Sequence, residues 1–566
     1  MFARTIRVGA ALALATSAAC HENVSPPPFD GKLKAGQSYS VAGATSFTLD
    51  PDSTTGEYVA VVVNSGLLAG QKESYALRGD GLVAPSPDLL AANAPRLSAA
   101  PFAAAATAPT RDAGFESRLR ARERSELTPL IPDARAWIAA RAPAATTLGQ
   151  FSLSRSNSAI PSAVKVGDTI TVNVNGTDAC ANPVSHRARV AAIGTRAIVL
   201  DDVNNPRPGF TDLDYARYAA NFDTLVWNVD VNAFGAPTDI DNNGHVGLLF
   251  TLAVNQLTPR NANYYIMGFH FSRDLFPKTT QGRLLGCATS NEGELFYLMA
   301  PDPAGVYGNV RTTAFVDSNT TAVLAHEFQH LINNSRRLYV NNAAALEARW
   351  LDEGLAHAAE ELLFYREGGL TPRMNLDSLQ IRASTRARTA FNLDMYSNAS
   401  RYQSYLRRPS TASPYANDDS LQTRGATWDL LRYLVDRNGT SDGDQFYRIV
   451  NSADTGTVNL RGVFGSGLAD LVRDWAVSNA VDDTVLTGAE LQQASWNWHS
   501  VMFALNRAPY PLPVTTMTNA TSVSGTVTAG GAAYYRLAVP ARAPATISLS
   551  QSSAGGNLQL VVVRTK

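Results

Sequence analysis

The chain has 566 residues, of which 45% are hydrophobic and 17% are charged, and its formal net charge is −1. This composition excludes a largely disordered chain, because it supplies enough apolar surface to build buried cores. It also disfavours a dedicated nucleic-acid-binding protein, which would need an excess of basic residues to neutralise phosphates. No apolar run reaches the ~18 residues of a membrane-spanning helix.

The N-terminus has the pattern of an export signal, with a basic start, a short apolar stretch and small residues that end at Cys20. Ser17-Ala18-Ala19-Cys20 resembles the lipobox of bacterial lipoproteins, whose cysteine is acylated and becomes the new N-terminus. Cleavage without lipidation is the alternative. We therefore predict a signal peptide at 1–19, a tether at 20–28 and an exported protein. It is either a bacterial envelope lipoprotein, attached to a membrane only through its N-terminal lipid, or a secreted protein.

The rest of the chain divides by composition and periodicity into five segments. In chain order we predict a small β domain (29–83), an Ala/Pro-rich linker (84–114), a helical connector or pro-segment (115–149), a large central unit (150–510) and a C-terminal β segment (519–566). Strands alternate with helices in the first part of the central unit (150–315), which predicts an α/β lobe. The second part (316–510) has mostly helical periodicity and predicts a helical lobe.

Individual strands are predicted by period-two alternation or by short apolar runs between turn residues. The predicted strands are 38–41, 46–49, 58–63, 169–174, 197–200, 246–251, 295–299, 523–528, 533–538, 546–550 and 558–563. Helical spacing predicts a helix from Leu213 to Phe234, which ends at Gly235.

Three cysteines make an odd count that needs an explanation. If Cys20 carries the lipid, Cys180 and Cys287 are left as an even pair. We predict a disulfide between them, because an exported protein meets an oxidising compartment. Two separate buried thiols are the alternative, since a disulfide needs Cα atoms within about 7 Å of each other.

An acidic turn precedes the strand predicted at 246–251. Asp239, Asp241 and Asn243 are spaced as in the first half of a calcium loop, which makes Ca²⁺ a candidate cofactor. Phe250, however, stands where an EF-hand needs its bidentate glutamate. Asn243-Gly244 is also typical of a plain hairpin turn, so the turn has two interpretations.

The main chemical signal is an H-E-x-x-H motif in Ala325-His326-Glu327-Phe328-Gln329-His330. Asp317, Ser318 and Asn319 are candidate N-caps for a helix that carries it. On such a helix His326 and His330 lie one turn apart on the same face, and both can reach one tetrahedral zinc. Glu327 can then face a water molecule beside the metal without ligating the metal.

A second helix supplies a candidate for the third zinc ligand. Trp350-Leu351-Asp352-Glu353-Gly354-Leu355-Ala356 follows His330 after a stretch long enough to turn two helices antiparallel. A catalytic zinc has three protein ligands and one open position. Glu353 is therefore predicted as the third ligand.

The two motifs together resemble the gluzincins, and more closely the hyicolysin-type metallopeptidases, which carry H-E-F/Y-Q-H-x-I as in His326–Ile332. The resemblance extends upstream to 234–246 and 291–302 and downstream to 425–434, and it covers roughly residues 150–510. It implies an α+β fold of thermolysin-like type. The catalytic unit would have a mixed-sheet upper lobe and a helical lower lobe, flanked by small all-β segments.

Carried over by residue, the resemblance implies zinc on His326, His330 and Glu353, with Glu327 as the general base of an endopeptidase that acts on polypeptides. Asp352 stands where aminopeptidases usually have Asn, so recognition of a substrate amine does not transfer. A strand before the motif, at 294–300, would pair with an extended peptide. The candidates for stabilising the oxyanion are His357, Tyr396, Tyr402, Tyr415 and His499.

Two alternatives stay open beside a zinc endopeptidase. One is an envelope or surface lipoprotein in which zinc holds the helix pair together without catalysis. The other is a zinc amidase whose substrate is not a protein. No serine-hydrolase elbow, P-loop or dinucleotide fingerprint occurs in the sequence.

Overall fold

The computed structural model describes residues 29–51, 53–86, 110–111, 113–139, 158–439, 441–552 and 556–566. The predicted signal peptide, Cys20, the tether and most of the predicted linker lie outside these ranges. Helices and sheets both occur throughout, so the chain has a mixed α+β fold, as predicted. No helix within the described ranges is long and apolar enough to cross a membrane.

Strands β1 to β17 are numbered here in chain order. They are Ser38–Ala42, Thr45–Leu49, Gly56–Asn64, Lys72–Asp80, Thr110–Arg111, Thr169–Asn173, Ser185–Ile193, Ala197–Asp202, Val246–Thr251, Tyr264–Tyr265, Gly268–His270, Leu295–Met299, Val514–Thr516, Thr521–Thr528, Ala532–Val539, Ala545–Gln551 and Leu558–Arg564.

Helices α1 to α15 follow the same order. They are Ala113–Leu127, Ile131–Ala139, Asp212–Asn221, Trp227–Phe234, Leu252–Gln256, Thr313–Tyr339, Arg349–Gly368, Ser378–Arg382, Thr385–Ala390, Tyr396–Leu406, Leu421–Asn438, Asp442–Val450, Gly456–Phe464, Leu468–Val481 and Trp498–Asn506. Single turns of 3₁₀ or π form lie at Thr128–Leu130, Phe222–Val226, Ser272–Leu275, Phe391–Met395 and Ala489–Leu491.

The strands near the two ends of the chain form one β-sandwich. One sheet has the order β1-β17-β3-β15-β13 and the other has the order β14-β4-β16-β2. Each sheet therefore mixes strands from residues 29–86 with strands from residues 514–566. The sequence assigned these strands to two separate segments, because local periodicity carries no information about which distant edges pair.

Strand β3 lies at the centre of one of these sheets and is buried on both faces. Tyr58, Ala60 and Val62 point into the sandwich core, whereas Val59 and its alternate neighbours join the large core of the central unit. Successive side chains of a strand point to opposite faces. The unbroken apolar run of β3 therefore packs against both the sandwich core and the core of the central unit. Tyr534 of strand β15 adds a hydrogen bond from the sandwich to the Ala476 carbonyl of helix α14.

A six-stranded mixed sheet forms the first lobe of the central unit, in the order β11-β12-β9-β8-β7-β6. Strands β8, β9 and β12 are parallel, and the remaining pairs are antiparallel. The strand predicted at 294–300 to receive a substrate is β12, which pairs on both sides with β9 and β11. That expectation is wrong, because β12 has no free edge, and the strand at this end of the sheet is β11.

The long helix α6 and the following helix α7 carry the predicted metal ligands. Helix α6 begins after Thr312, whose side chain accepts a hydrogen bond from the amide of Phe315, so the predicted caps at 317–319 lie inside the helix. On the apolar side of α6, Phe328 packs against Trp227 with ring centroids 5.3 Å apart. This packing fixes the rotation of α6 and turns the histidine face towards α7.

Candidate metal centre

The two motif histidines aim the same ring nitrogen at one point. The Nε2 atoms of His326 and His330 lie 3.2 Å apart. Glu353 completes the group, with carboxylate oxygens 3.5 Å from Nε2 of His326 and 3.8 Å from Nε2 of His330. Zinc bound at 2.0–2.1 Å to each ligand separates tetrahedral ligand atoms by about 3.3 Å. The three side chains thus have the spacing of a zinc site.

The other ring nitrogen of each histidine contacts a carboxylate. Nδ1 of His326 lies 2.9 Å from Glu360, and Nδ1 of His330 lies 2.9 Å from Asp352. Such carboxylates place the imidazole proton on Nδ1 and leave the lone pair on Nε2 for a metal. Two lone pairs facing each other at 3.2 Å repel, and a cation between them removes the repulsion. This donor set therefore fits zinc.

A buried arginine stabilises the charge on the third ligand. Nη1 of Arg424, on α11, lies 2.8 Å from Oε2 of Glu353. Burial alone would raise the pKa of Glu353, but Arg424 and the two histidines outweigh it and hold the pKa well below its usual range. Arg424 is itself held by two hydrogen bonds to Asp419. Sequence reasoning did not single out Arg424, which directly precedes the segment 425–434.

His326, His357 and Glu360 form a second group of metal-ligand type. Within this group Glu360 lies 2.9 Å from Nδ1 of His326 and 3.0 Å from Nδ1 of His357. These are ordinary hydrogen-bond lengths and leave less room than a tetrahedral metal needs. We therefore interpret Glu360 as the residue that positions His326, and His357 as its second hydrogen-bond partner.

The predicted general base, Glu327, is fully buried beside the metal ligands. Its Oε2 accepts a hydrogen bond of 2.8 Å from the amide of His270, the last residue of strand β11. This hydrogen bond fixes the predicted base, Glu327, to the edge strand of the central sheet. Any group that pairs with the outer side of β11 would lie next to Glu327.

Helix α1 brings two further charged side chains to the centre that sequence reasoning missed. Arg120 lies 3.6 Å from Oε2 of Glu327 and 3.7 Å from Oε1 of Glu353. The Glu116 carboxylate lies within 4.8 Å of the ligand atoms of His326 and Glu327. A helix with so many arginines has the composition of a solvated surface, so its sequence gave no signal of burial.

Most of the residues proposed for oxyanion stabilisation are engaged elsewhere. The hydroxyl groups of Tyr402 and Tyr415 donate to Asn479 and to the Gly66 carbonyl, respectively. His499 stacks on a tyrosine ring, and Tyr396 packs half-buried against the core. His357 is the one of the five beside the metal ligands. Burial and Arg401 lower the pKa of His357 to about 3, so its ring is neutral.

The structure brings all three candidate calcium residues close together, but only the two aspartates belong to a group of metal-ligand type. Asp239 and Asp241 form an acidic group with Glu294, whereas Asn243 donates to Asp241 and to the Ile160 carbonyl. Asn243 therefore uses its side chain to hold the turn, in line with the hairpin interpretation. Nothing in the comparisons with known proteins points to calcium, and calcium stays a prediction.

Cys180 and Cys287 form a disulfide, as the cysteine count predicted, with Cα atoms 4.5 Å apart. The bond joins the loop after β6 to the loop before β12. Both loops lie on the sheet that carries β11, so the disulfide braces the lobe that supports the candidate site.

The chain is similar to the neutral metalloprotease ShpI of Staphylococcus hyicus. The two proteins are 26% identical over 152 residues, which cover 27% of this chain and 31% of the relative. The similarity thus spans about a third of the relative's length. No protein-family model matches the chain. The relative is a metalloprotease, and the buried histidine and glutamate group of this chain is compatible with a metal ion.

Proposed function

We propose that this protein is an exported zinc endopeptidase of gluzincin type. The observation that carries the proposal is the convergence of His326, His330 and Glu353, with each histidine oriented by its own carboxylate. A group built in this way holds a metal with three protein ligands and leaves a fourth position for chemistry. Similarity to a neutral metalloprotease favours peptide bonds as the substrate.

Each residue has a role that follows from its place. Zinc held by the three ligands would supply a Lewis acid that polarises the scissile carbonyl and activates a water molecule. Glu327 lies beside the ligands without being one of them, so its carboxylate accepts the proton of the attacking water and passes it to the leaving amine. Asp352 and Glu360 hold the histidines in the ligating orientation.

An extended polypeptide is the substrate shape that the central sheet favours. Strand β11 is the last strand of that sheet, and its residue His270 is bonded directly to Glu327. A peptide on the outer side of β11 would gain main-chain hydrogen bonds regardless of its sequence once Glu327 and Arg120 release the amide and carbonyl of His270. This arrangement suits a peptidase that cleaves within unfolded chains. Export, with lipidation at Cys20, completes the proposal.

The test replaces the base and keeps the ligands. Glu327→Gln is expected to bind zinc as the parent protein does and to lose at least about 10²-fold in peptide hydrolysis, which is the usual contribution of a general base. Zinc content by atomic absorption and digestion of a quenched peptide library provide the two measurements. Glu347→Gln is the control, because Glu347 is also buried but pairs with Arg337 away from the ligands.

The same measurements decide between this proposal and its alternatives. A fully active Glu327→Gln variant would falsify the mechanism. Zinc that resists rapid chelation, with no hydrolysis of any substrate, would favour a structural metal site. Hydrolysis of small amides, with no cleavage of casein or library peptides, would favour a zinc amidase.

A further inference from the structure

Helix α1 is a permanent part of the candidate site. Its apolar side chains Phe115, Leu119 and Leu127 are buried in the same hydrophobic core as the central sheet and helices α6 and α7. The ring of Phe115 lies 5.3 Å from that of Phe269 in strand β11, and helix α2 continues the packing with Trp137. Exposing this apolar surface to water is unfavourable, so α1 and its charged side chains stay in the folded site.

Arg120 is a buried cation on the inner face of α1, with only 4% of its surface exposed. Its Nη1 donates to Oε2 of Glu123 at 2.8 Å and to the carbonyl of His270 at 3.1 Å. These two contacts use both protons of Nη1 and fix the plane of the guanidinium. A peptide that pairs with β11 would displace only the contact to His270, and Glu123 would still hold the guanidinium in place.

The other edge of the Arg120 guanidinium faces the base and a metal ligand. Nη2 lies 3.6 Å from Oε2 of Glu327, and Nε lies 3.7 Å from Oε1 of Glu353 and 3.8 Å from Oδ2 of Asp352. These distances are longer than those of hydrogen bonds. Within the described ranges, Nε and Nη2 of Arg120 have no hydrogen-bond partner. Buried donors without a partner are costly, so this edge marks a place for an oxygen acceptor.

The other polar groups beside the ligands lack donors that are free for such an acceptor. Nδ1 of His357 lies 3.0 Å from Glu360, which places the single proton of the neutral ring on Nδ1, so Nε2 carries a lone pair. Arg424 lies beside Glu353, but its nitrogens are engaged by Asp419, Glu116 and Glu353 itself. The free edge of Arg120 is therefore the better donor for a developing anion.

The scissile carbonyl has to lie where this edge points. Glu327 activates the water that attacks the carbonyl carbon, so this carbon lies beside Glu327 and its oxygen is directed to the metal ligands. The Nε–Nη2 edge of Arg120 spans the gap between Glu327 and the ligand Glu353. Donors that are fixed before the reaction need no reorganisation when charge develops on the oxygen, and they lower the barrier for this reason.

We propose that Arg120 is a catalytic residue that stabilises the negative charge on the oxygen of the scissile carbonyl. The water oxygen bonds to the carbonyl carbon, the π electrons of the carbonyl move onto its oxygen, and Glu327 takes one water proton. Nε–H and Nη2–H of Arg120 donate to the charged oxygen. The electrons then re-form the carbonyl as the C–N bond breaks, and the proton on Glu327 passes to the leaving nitrogen, which gives a carboxylic acid and an amine. This role rests on the proposed peptidase function.

The test compares Arg120→Ala with the parent protein, both loaded with zinc. On one quenched peptide selected from a library digest, kcat is expected to fall by about 10²–10³-fold, the usual effect of removing a donor to an oxyanion. The second readout is binding, measured by calorimetry. A phosphonamidate peptide, which carries a tetrahedral anion, is expected to lose affinity by the same factor. The matching peptide substrate, measured in the Glu327→Gln background, is expected to keep its affinity within about threefold.

Two further variants show whether a loss of structure explains the result. Arg120→Lys keeps the positive charge among the buried carboxylates but has a single nitrogen, so it is expected to fold and still to lose at least about tenfold in kcat. Arg337→Lys changes another buried arginine, which pairs with Glu347 away from the ligands. It is expected to lower the thermal midpoint without changing kcat. Zinc affinity, measured by competition with a chelator, is expected to fall less than kcat does in both Arg120 variants.

The outcomes separate the role of Arg120 from the proposed function. Unchanged kcat in Arg120→Ala, or in Arg120→Lys if the first variant does not fold, overturns the role and leaves a peptidase standing. Equal losses of affinity for the phosphonamidate and the uncleaved peptide, or a loss of zinc affinity that matches the loss of kcat, also overturn it. If the parent protein hydrolyses no peptide, the peptidase fails. The contact from Arg120 to a tetrahedral anion then stands only if the phosphonamidate binds the parent and loses affinity in Arg120→Ala.

Discussion

Glu360 offers the sharpest test of how the candidate metal centre is built. Its Oε1 lies 2.9 Å from Nδ1 of His326, and its Oε2 lies 3.0 Å from Nδ1 of His357. One carboxylate thus accepts from two imidazoles, each through a different oxygen. Glu360→Gln keeps the size of the side chain but leaves one oxygen and no charge, so one imidazole loses its acceptor.

We expect Glu360→Gln to weaken zinc binding by 10- to 100-fold, the usual effect of losing a carboxylate behind a ligating histidine. That loss corresponds to about 1.4–2.7 kcal/mol of binding free energy. The assay is competition for zinc against a chromophoric chelator at neutral pH. The thermal midpoint of the zinc-free protein is measured in parallel, so that a loss of fold is not mistaken for a loss of affinity.

The neighbouring Glu361 provides a matched control on the same helix. It is equally buried, but it accepts from the indole of Trp496 and pairs with Arg432, away from the ligands. Glu361→Gln is expected to lower stability and to leave zinc affinity within about twofold of the parent protein. Equal affinities for Glu360→Gln and the parent protein would refute the positioning role. An equal loss of zinc affinity in Glu361→Gln would show that the effect is not specific to Glu360.

Three further predictions concern stability. Replacing Cys180 and Cys287 by Ala is expected to cost about 2–5 kcal/mol in the free energy of unfolding, measured by urea titration, and an unchanged midpoint would argue against the bond. Phe328→Ala should cost about 3–5 kcal/mol, because the ring packs against three other aromatic rings, while Phe315→Ala near the helix start should cost less. Burial raises the pKa of Asp429 to about 7, so the folded state keeps a proton that the unfolded chain loses near pH 4. This group therefore lowers stability as the pH rises from about 4 to about 7, and Asp429→Asn should lose that part of the decline between about pH 5 and pH 7. A parallel decline in both proteins would contradict the shift.

The sequence predicted best those features that depend on local spacing. The H-E-x-x-H face needs only the helical period, and the apolar runs at 246–251 and 295–299 are strands in the structure. Strands Lys72–Asp80 and Ser185–Ile193 were missed. Their buried positions include Glu73, Gly79 and three alanines, so few of their inward residues are the β-branched or aromatic types that mark a strand.

Features that depend on contacts between distant segments could not be predicted, because such contacts leave no local pattern in the sequence. The hydrogen bond from His270 to Glu327 depends on strand β11, which lies at the edge of the central sheet. This strand has only three residues, and no periodicity predicts so short an element. Arg120 and Arg424 are buried because carboxylates from distant helices surround them. Hydropathy predicts that an arginine side chain is exposed to solvent. The carboxylates that stabilise a buried arginine are known only from the tertiary structure.

Strand β3 pairs with two strands from the other end of the chain, and this has a consequence for folding during synthesis. Its two partners in the sheet, β15 and β17, are among the last strands to be synthesised. Until β15 and β17 are synthesised, β3 has no strand to pair with and both of its apolar faces are exposed to water. Strands in this state promote aggregation. A chain cut short before residue 532 would therefore leave β3 without either partner and is expected to aggregate.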